Sequence, residues 1–144
     1  FSPDKACTRA EIVTFLWRAA GKPAAKSRAN PFTDVSSSAY YYDAVLWAVE
    51  AGITQGTSAT TFSPDKTCSR AEAVTFLYRA ASGKASSGTV PFTDVPANAY
   101  YKDAVLWAVA ENVTQGTGSS TFSPDKTCSR AEIVTFLYRS PLSE

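Results

Sequence analysis

A stretch of twelve residues, Thr61-Phe62-Ser63-Pro64-Asp65-Lys66-Thr67-Cys68-Ser69-Arg70-Ala71-Glu72, returns unchanged 60 residues later as Thr121 to Glu132. Two further segments repeat at the same offset. Pro31-Phe32-Thr33-Asp34-Val35 returns at Pro91 to Val95, and Asp43-Ala44-Val45-Leu46-Trp47-Ala48-Val49 returns at Asp103 to Val109. The end of the unit also opens the chain, as Phe1-Ser2-Pro3-Asp4-Lys5-Ala6-Cys7-Thr8-Arg9-Ala10-Glu11. Such self-similarity restricts the fold to repeated supersecondary units that bury their apolar faces on one another. The expected division is the C-terminal half of a first unit at 1–23, a second unit at 31–83 and a third at 91–140. Linkers at 24–30 and 84–90 join them into one domain. The chain begins at Phe1 and holds no Met, so it reads as a fragment or a processed piece.

Each unit reads as helix, irregular loop, helix. In 39–51, Tyr41, Ala44, Val45 and Ala48 share one helical stripe with Trp47 beside it. Gly52 then suits a left-handed cap, and Asn112, which also tolerates that conformation, takes its place in the next unit. Phe62 anchors the following loop, and Ser63-Pro64-Asp65-Lys66 has the chemistry of a type I turn. The second helix opens on a capping box, Thr8 with Glu11, Ser69 with Glu72 and Ser129 with Glu132. These helices are expected to end near Gly21, Gly83 and Pro141. The fold class is therefore all-α.

The overall balance excludes several functions. Fourteen Lys and Arg against 13 Asp and Glu leave a net charge of +1, too little for binding nucleic acid through bulk charge. No apolar run approaches the ~20 residues of a membrane span. The chain has no His, which removes Ser-His-Asp chemistry and the commonest metal ligand. Without a Cys/His set no metal is expected, and no cofactor either. A glycosidase needs two carboxylates ~5–9.5 Å apart, but Asp34, Asp43, Glu50 and Asp65 each have a simpler use as cap, turn or surface charge. The three Cys fall at equivalent positions, so they are expected to be well separated, beyond disulfide reach, and to serve as small buried apolar residues with free thiols.

Three arginines, Arg9, Arg70 and Arg130, stand at the first position of capped helices. A cation is disfavoured there by ~0.3–1 kcal/mol. One reading is that guanidinium and free helix amides converge on an anion such as a carboxylate. The other is that each Arg pairs with a neighbouring acid such as Asp65 or Glu72, or merely lies over the surface. Gln55-Gly56-Thr57 and Gln115-Gly116-Thr117 offer amides and hydroxyls on loops, as a sugar would need, or are ordinary turn residues. Trp47 and Trp107 could stack on sugar rings, but their apolar helix faces favour core packing. Of Tyr40, Tyr41, Tyr42, Tyr100 and Tyr101, the outer members could wall a groove. Asp34 and Asp94 suit capping or turn bonding, with ligand contact secondary. Lys66 and Lys126 suit a solvated turn.

The ordered set FTDV, a helix with a central Trp, a Gly-containing loop, FSPD and [ST]RAE resembles the S-layer homology (SLH) family over nearly the whole chain outside the linkers. That resemblance implies three repeats around a pseudo-threefold axis, with a central bundle and protruding prongs. It implies non-enzymatic, non-covalent anchoring at the bacterial cell surface. The partner it implies is a secondary cell-wall polysaccharide, often bearing pyruvate ketals, held in grooves between prongs. The groove arginines correspond to Arg9, Arg70 and Arg130. The helix Trp corresponds to Trp47 and Trp107, the FxDV Asp to Asp34 and Asp94, and the loop Gly to Gly56 and Gly116. The chain departs from the pattern in three places. The first repeat lacks its first helix, and the usual Asp-Gly of the loop is Ala59-Thr60 and Ser119-Ser120. Cys7, Cys68 and Cys128 replace an aliphatic residue. A protein-interaction or structural repeat module without glycan binding is the alternative. Apolar surface left by the missing helix invites a homodimer.

Overall fold

The three capping boxes form as the sequence predicts, and they set where three of the helices begin. In the computed structural model, which describes residues 3–27, 29–84, 89 and 91–141, Thr8, Ser69 and Ser129 each accept from the amide three residues on. The Glu at that position accepts from the cap amide in return. The resulting helices are α1 (Arg9–Ala19), α3 (Arg70–Ala80) and α5 (Arg130–Arg139), with α2 (Tyr42–Glu50) and α4 (Lys102–Ala110) between them. Among the described residues there is no strand, only three isolated bridges, so the chain is all-α. Gly52 and Asn112 take left-handed backbone at φ 77° and 59°, closing α2 and α4 as expected.

The helix expected over 39–51 begins later, at Tyr42. Residues 36–42 form successive i to i+3 turns instead, Ala39 to Ser36 at 3.0 Å and Tyr42 to Ala39 at 3.1 Å. Tyr41 and Tyr101 offer no side-chain cap, so nothing fixes an earlier start. The linker over 24–30 is held by Glu50, whose carboxylate accepts the amides of Lys26 and Ser27 at 2.9 Å each. Most of the linker placed at 84–90 lies outside the described residues.

Helices α1, α3 and α5 contact one another in every pairing, while α2 packs on α1 and α4 on α3. The core runs through Ile12, Val13, Leu16, Val45, Val74, Leu77, Val105 and Ile133, with Phe62 and Phe122 fully buried from the loops. Helix α5 carries no counterpart of α2 or α4 among the described residues. Its Val134 is 41% exposed, where the equivalent Val13 and Val74 are sealed.

One expectation fails at the centre of the molecule. The cysteines are not far apart: their backbones form a closed ring. Cys7 donates to the carbonyl of Cys128 at 2.8 Å, Cys128 to Cys68 at 2.8 Å and Cys68 to Cys7 at 2.9 Å. The segments before the capped helices converge, and each cysteine amide finds its partner on another repeat. The thiols are nevertheless free and buried.

Candidate functional site

The start of each capped helix docks on the Ser-Pro-Asp-Lys turn of another repeat. Arg9 and Ala10 donate their amides to the carbonyls of Lys66 and Pro64. Arg70 and Ala71 donate to Lys126 and Pro124, and Arg130 and Ala131 to Lys5 and Pro3. Together with the capping boxes, this uses every amide that a helix start normally leaves open. The expectation that free helix amides meet an anion is therefore corrected: turn carbonyls occupy them.

The same docking orients the arginines. Arg9 Nε donates to the Phe62 carbonyl at 2.9 Å, and its guanidinium lies 4.7 Å from the centre of the Phe62 ring. Arg70 repeats this on Phe122, at 2.9 Å and 4.8 Å. A guanidinium over an aromatic face keeps its charge while burying its plane, and both residues are almost wholly enclosed. Each arginine also meets the capping-box Glu of another repeat. Arg9 Nη1 lies 3.7 Å from Glu72, Arg70 Nη1 pairs with Glu132 and Arg130 Nη2 with Glu11. The acid partner is thus not Asp65 or the arginine's own box residue.

These ion pairs do not close the surface. A cleft of about 470 Å³ is lined by Arg9, Thr54, Gln55, Gly56, Phe76, Arg79 and Tyr100. A second, about 630 Å³, is lined by Arg70, Asn112, Thr114, Gln115, Gly116, Phe136 and Arg139. A third, about 420 Å³, has Arg130 with Glu11, Thr14, Phe15, Arg18 and Tyr40. The first two place an arginine of one repeat against the loop and helix of the next. The third has no loop of the Thr-Gln-Gly kind on its wall.

Aspartates give the loops their shape. Asp34 accepts the amides of Phe62 and Ser63 at 2.8 and 2.9 Å, and Asp94 those of Phe122 and Ser123 at 2.9 and 2.8 Å. Desolvation works to raise the pKa of both carboxyls, but these amides outweigh it and hold them below the ordinary value. In Glu132, desolvation is likewise overcome by the Ser129 amide and Arg70, and its pKa is lowered. The turn itself needs glycine. Gly56 has φ +87°, and a Cβ there would sit 2.7 Å from the Phe32 ring and 2.8 Å from the Thr61 carbonyl.

Of the residues singled out from sequence, Arg9, Arg70, Gln55, Gly56, Gln115 and Gly116 come together at two clefts, and Arg130 lines the third. Thr57 and Thr117 turn their hydroxyls to Ser63 and Ser123, each at 2.6 Å, and neither lines a cleft. Trp107 is buried edge-on to Tyr78, and Trp47 packs partly buried against the core. Asp34 and Asp94 stand behind the loops. Residues missed in the sequence are Thr54, Thr114 and a second set of arginines, Arg18, Arg79 and Arg139. Their signal was present: Phe15-Leu16-Trp17-Arg18 recurs, with Tyr in place of Trp, as Phe76 to Arg79 and Phe136 to Arg139.

Helical repeats interlocked through buried arginines, with polar clefts between them, define a class of repeat-built helical module. The chain belongs to the S-layer homology domain family, whose model matches residues 31–74 and 91–134. Membership places it at the bacterial cell surface. It is 37% identical to a surface-layer 125 kDa protein of Lysinibacillus sphaericus over 79% of this chain and 9% of that protein. It is 31% identical to an endoglucanase of Bacillus sp. (strain KSM-635) over 80% of the chain and 12% of the relative. A cellulosome-anchoring protein of Acetivibrio thermocellus matches at 28% over 97% of the chain and 33% of its own length. The chain therefore spans only a small part of these relatives. No helix among the described residues is long and apolar enough to cross a membrane.

Proposed function

We propose that this chain is a non-covalent anchor that binds an acidic secondary cell-wall polysaccharide in the clefts between its repeats, with a pyruvate-ketal carboxylate as the acidic group. The observation that carries this reading is the Arg70 side chain. It is 4% exposed and lines the 630 Å³ cleft, and its Nη2 has no hydrogen-bond partner among the described residues. A buried guanidinium nitrogen without a partner carries a desolvation penalty of about 1–3 kcal/mol that an incoming oxygen relieves. Gln115 and Arg139 on the same wall suit a sugar hydroxyl and a second anionic oxygen. Arg9 with Gln55 and Gly56 makes the companion site, Asp34 and Asp94 hold the loops through the amides they accept, and Trp47 and Trp107 serve the core that carries the walls.

The unit that binds is the half repeat at 1–23 with the repeats at 31–83 and 91–140, arranged about a pseudo-threefold axis. The cyclic order of the Cys7, Cys68 and Cys128 hydrogen bonds supports that arrangement. The module is non-enzymatic in this reading. The acids near the clefts, Glu72 and Glu132, are committed to capping and to Arg9 and Arg70. The decisive experiment is retention of the chain on purified wall polymer before and after mild acid removal of its ketals. Retention should be lost with the ketals. Equal retention on both would instead support a repeat module that serves protein interaction.

A further inference from the structure

The two loop-walled clefts use the same sequence motifs but are not in the same state. In the smaller, each terminal nitrogen of Arg9 meets a protein oxygen: Nη2 donates to Thr54 Oγ1 at 3.2 Å and Nη1 faces Glu72 at 3.7 Å. In the larger, Arg70 Nη1 is held by Glu132 while Nη2 is buried without a partner among the described residues. The threonine accounts for part of the contrast. Both threonine hydroxyls accept the amide two residues on, Thr114 from Gly116 at 3.1 Å and Thr54 from Gly56 at 3.4 Å, and Thr54 Oγ1 accepts from Arg9 as well. The second arginines differ as well. Both are exposed on their cleft walls, but Arg79 donates to the carbonyl of Ile53 at 3.1 Å. Tyr100 lines the smaller cleft and no tyrosine lines the larger. Arg9 and Arg79 share their cleft wall with Glu72, and the lining of the other cleft includes Arg70 and Arg139, with Glu132 paired to Arg70.

We propose that the clefts are inequivalent, and that the Arg70–Gln115–Arg139 cleft is the primary seat of the carboxylate-bearing sugar, with the Arg9 cleft satisfied by its own protein. This rests on the glycan-binding reading above and names which site does the work. In the Arg70 cleft, a ligand carboxylate oxygen accepts from Nη2 without displacing a protein bond. In the Arg9 cleft, it must first compete with Thr54 for Nη2, whereas an ion-paired glutamate, Glu72 or Glu132, flanks the arginine in both clefts. Arg139 adds a second cation to this wall, as Arg79 does to the other, so the preference is for acid rather than for sugar as such.

The test is a titration of the isotope-labelled chain, followed by the amides of Gln115 and Gly116 in one cleft and Gln55 and Gly56 in the other. The probe is a methyl glycoside carrying a 4,6-linked pyruvate ketal, and its methyl ester is the uncharged control. The expected result is a midpoint at Gln115 and Gly116 at least tenfold lower than at Gln55 and Gly56, with that preference abolished for the ester. Gln115→Ala, on an exposed loop that leaves the arginines in place, should weaken polymer retention about tenfold, and Gln55→Ala by no more than twofold. Loops that titrate together, or Gln55 first, overturn the inequivalence while leaving anchoring intact. Absence of any acid-dependent shift, together with polymer retention indifferent to ketal removal, overturns the anchoring reading and this one with it.

Discussion

The amide of Cys68 donates to the carbonyl of Cys7 at 2.9 Å across 61 positions of sequence, one link of a ring that Cys128 closes. The ring places the capped starts of α1, α3 and α5 side by side, and the arginine that follows each cap reaches another repeat as a result. The backbone junction and the clefts are therefore one construction: whatever loosens the ring displaces Arg9 and Arg70 from Phe62 and Phe122.

The thiols in that ring should be inert in the folded protein. Burial pushes Cys7 and Cys128 up to about 12, and it raises Cys68 as well. The reactive species is the thiolate, so a thiol-specific reagent at pH 8 should modify none of the three until denaturant is added, and then all three. The same shift makes folding release stability in one direction only. Unfolded cysteines titrate near about 8.5, so stability is fully present below that pH. It should fall as pH rises from there toward 12, because the unfolded chain loses protons first. Denaturant midpoints measured from pH 7 to 10.5 check the slope. The valine variant at Cys68 should flatten it.

The loop aspartates bear on the opposite end of the scale. With the Asp34 and Asp94 pKa values held below their ordinary position, their contribution is present above about pH 4 and is lost as pH falls through the folded values. Replacing Asp34 by Ala leaves the amides of Phe62 and Ser63 without their acceptor and should cost about 1–2 kcal/mol at pH 7. Much of that difference should vanish by pH 2.5. Asp34 is exposed, so water keeps the effect modest. Denaturant titration of the two proteins at both pH values measures it.

Glycine is required at one turn position and optional at another. Gly56→Ala should destabilise by about 2 kcal/mol or more, because a positive φ and a hard contact with the Thr61 carbonyl act together. At Gly52 an added Cβ meets open space, leaving only the backbone term. Gly52→Asn should therefore be near neutral, as Asn112 already holds that conformation at φ 59°, and Gly52→Ala should cost about 1 kcal/mol. Thermal unfolding of the three variants orders them.

How much of this was legible beforehand follows from range. The capping boxes and the Gly52 and Asn112 caps depend on residues within a few positions, and the sequence shows them. Closure of the ring depends on backbone pairs such as Cys7 with Cys128, and the arginine pairs beside it span as far, Arg130 meeting Glu11 119 positions away. Pattern alone could not say that turn carbonyls would take the helix amides, or that each Arg would find its acid on another repeat. Equivalent positions were read as separated because repeats usually space them, yet Cys7, Cys68 and Cys128 sit where the repeats converge. Arg79 and Arg139 were overlooked for a related reason. At the last turn of a helix a cation is favourable in itself, so its place in a cleft shows only after α3 and α5 are set against the loops of 52–56 and 112–116.

Glu132 offers a way to separate structure from binding. It caps α5 by accepting the Ser129 amide and also holds Arg70 Nη1. Glutamine keeps the capping box, since its side-chain oxygen can accept the same amide, but it removes the negative charge that faces the cleft's arginine. Glu132→Gln should therefore lower stability by about 1–3 kcal/mol through the weakened ion pair. In the same protein the affinity for the ketal-bearing glycoside should rise about threefold to tenfold, since the ligand carboxylate no longer shares Arg70 with a protein carboxylate. Calorimetric titration of the folded variant measures the second effect, and thermal unfolding the first. Opposite signs for the two quantities are the mark of an acid that competes with the ligand. A variant that lost stability and affinity together would show that Glu132 only positions Arg70.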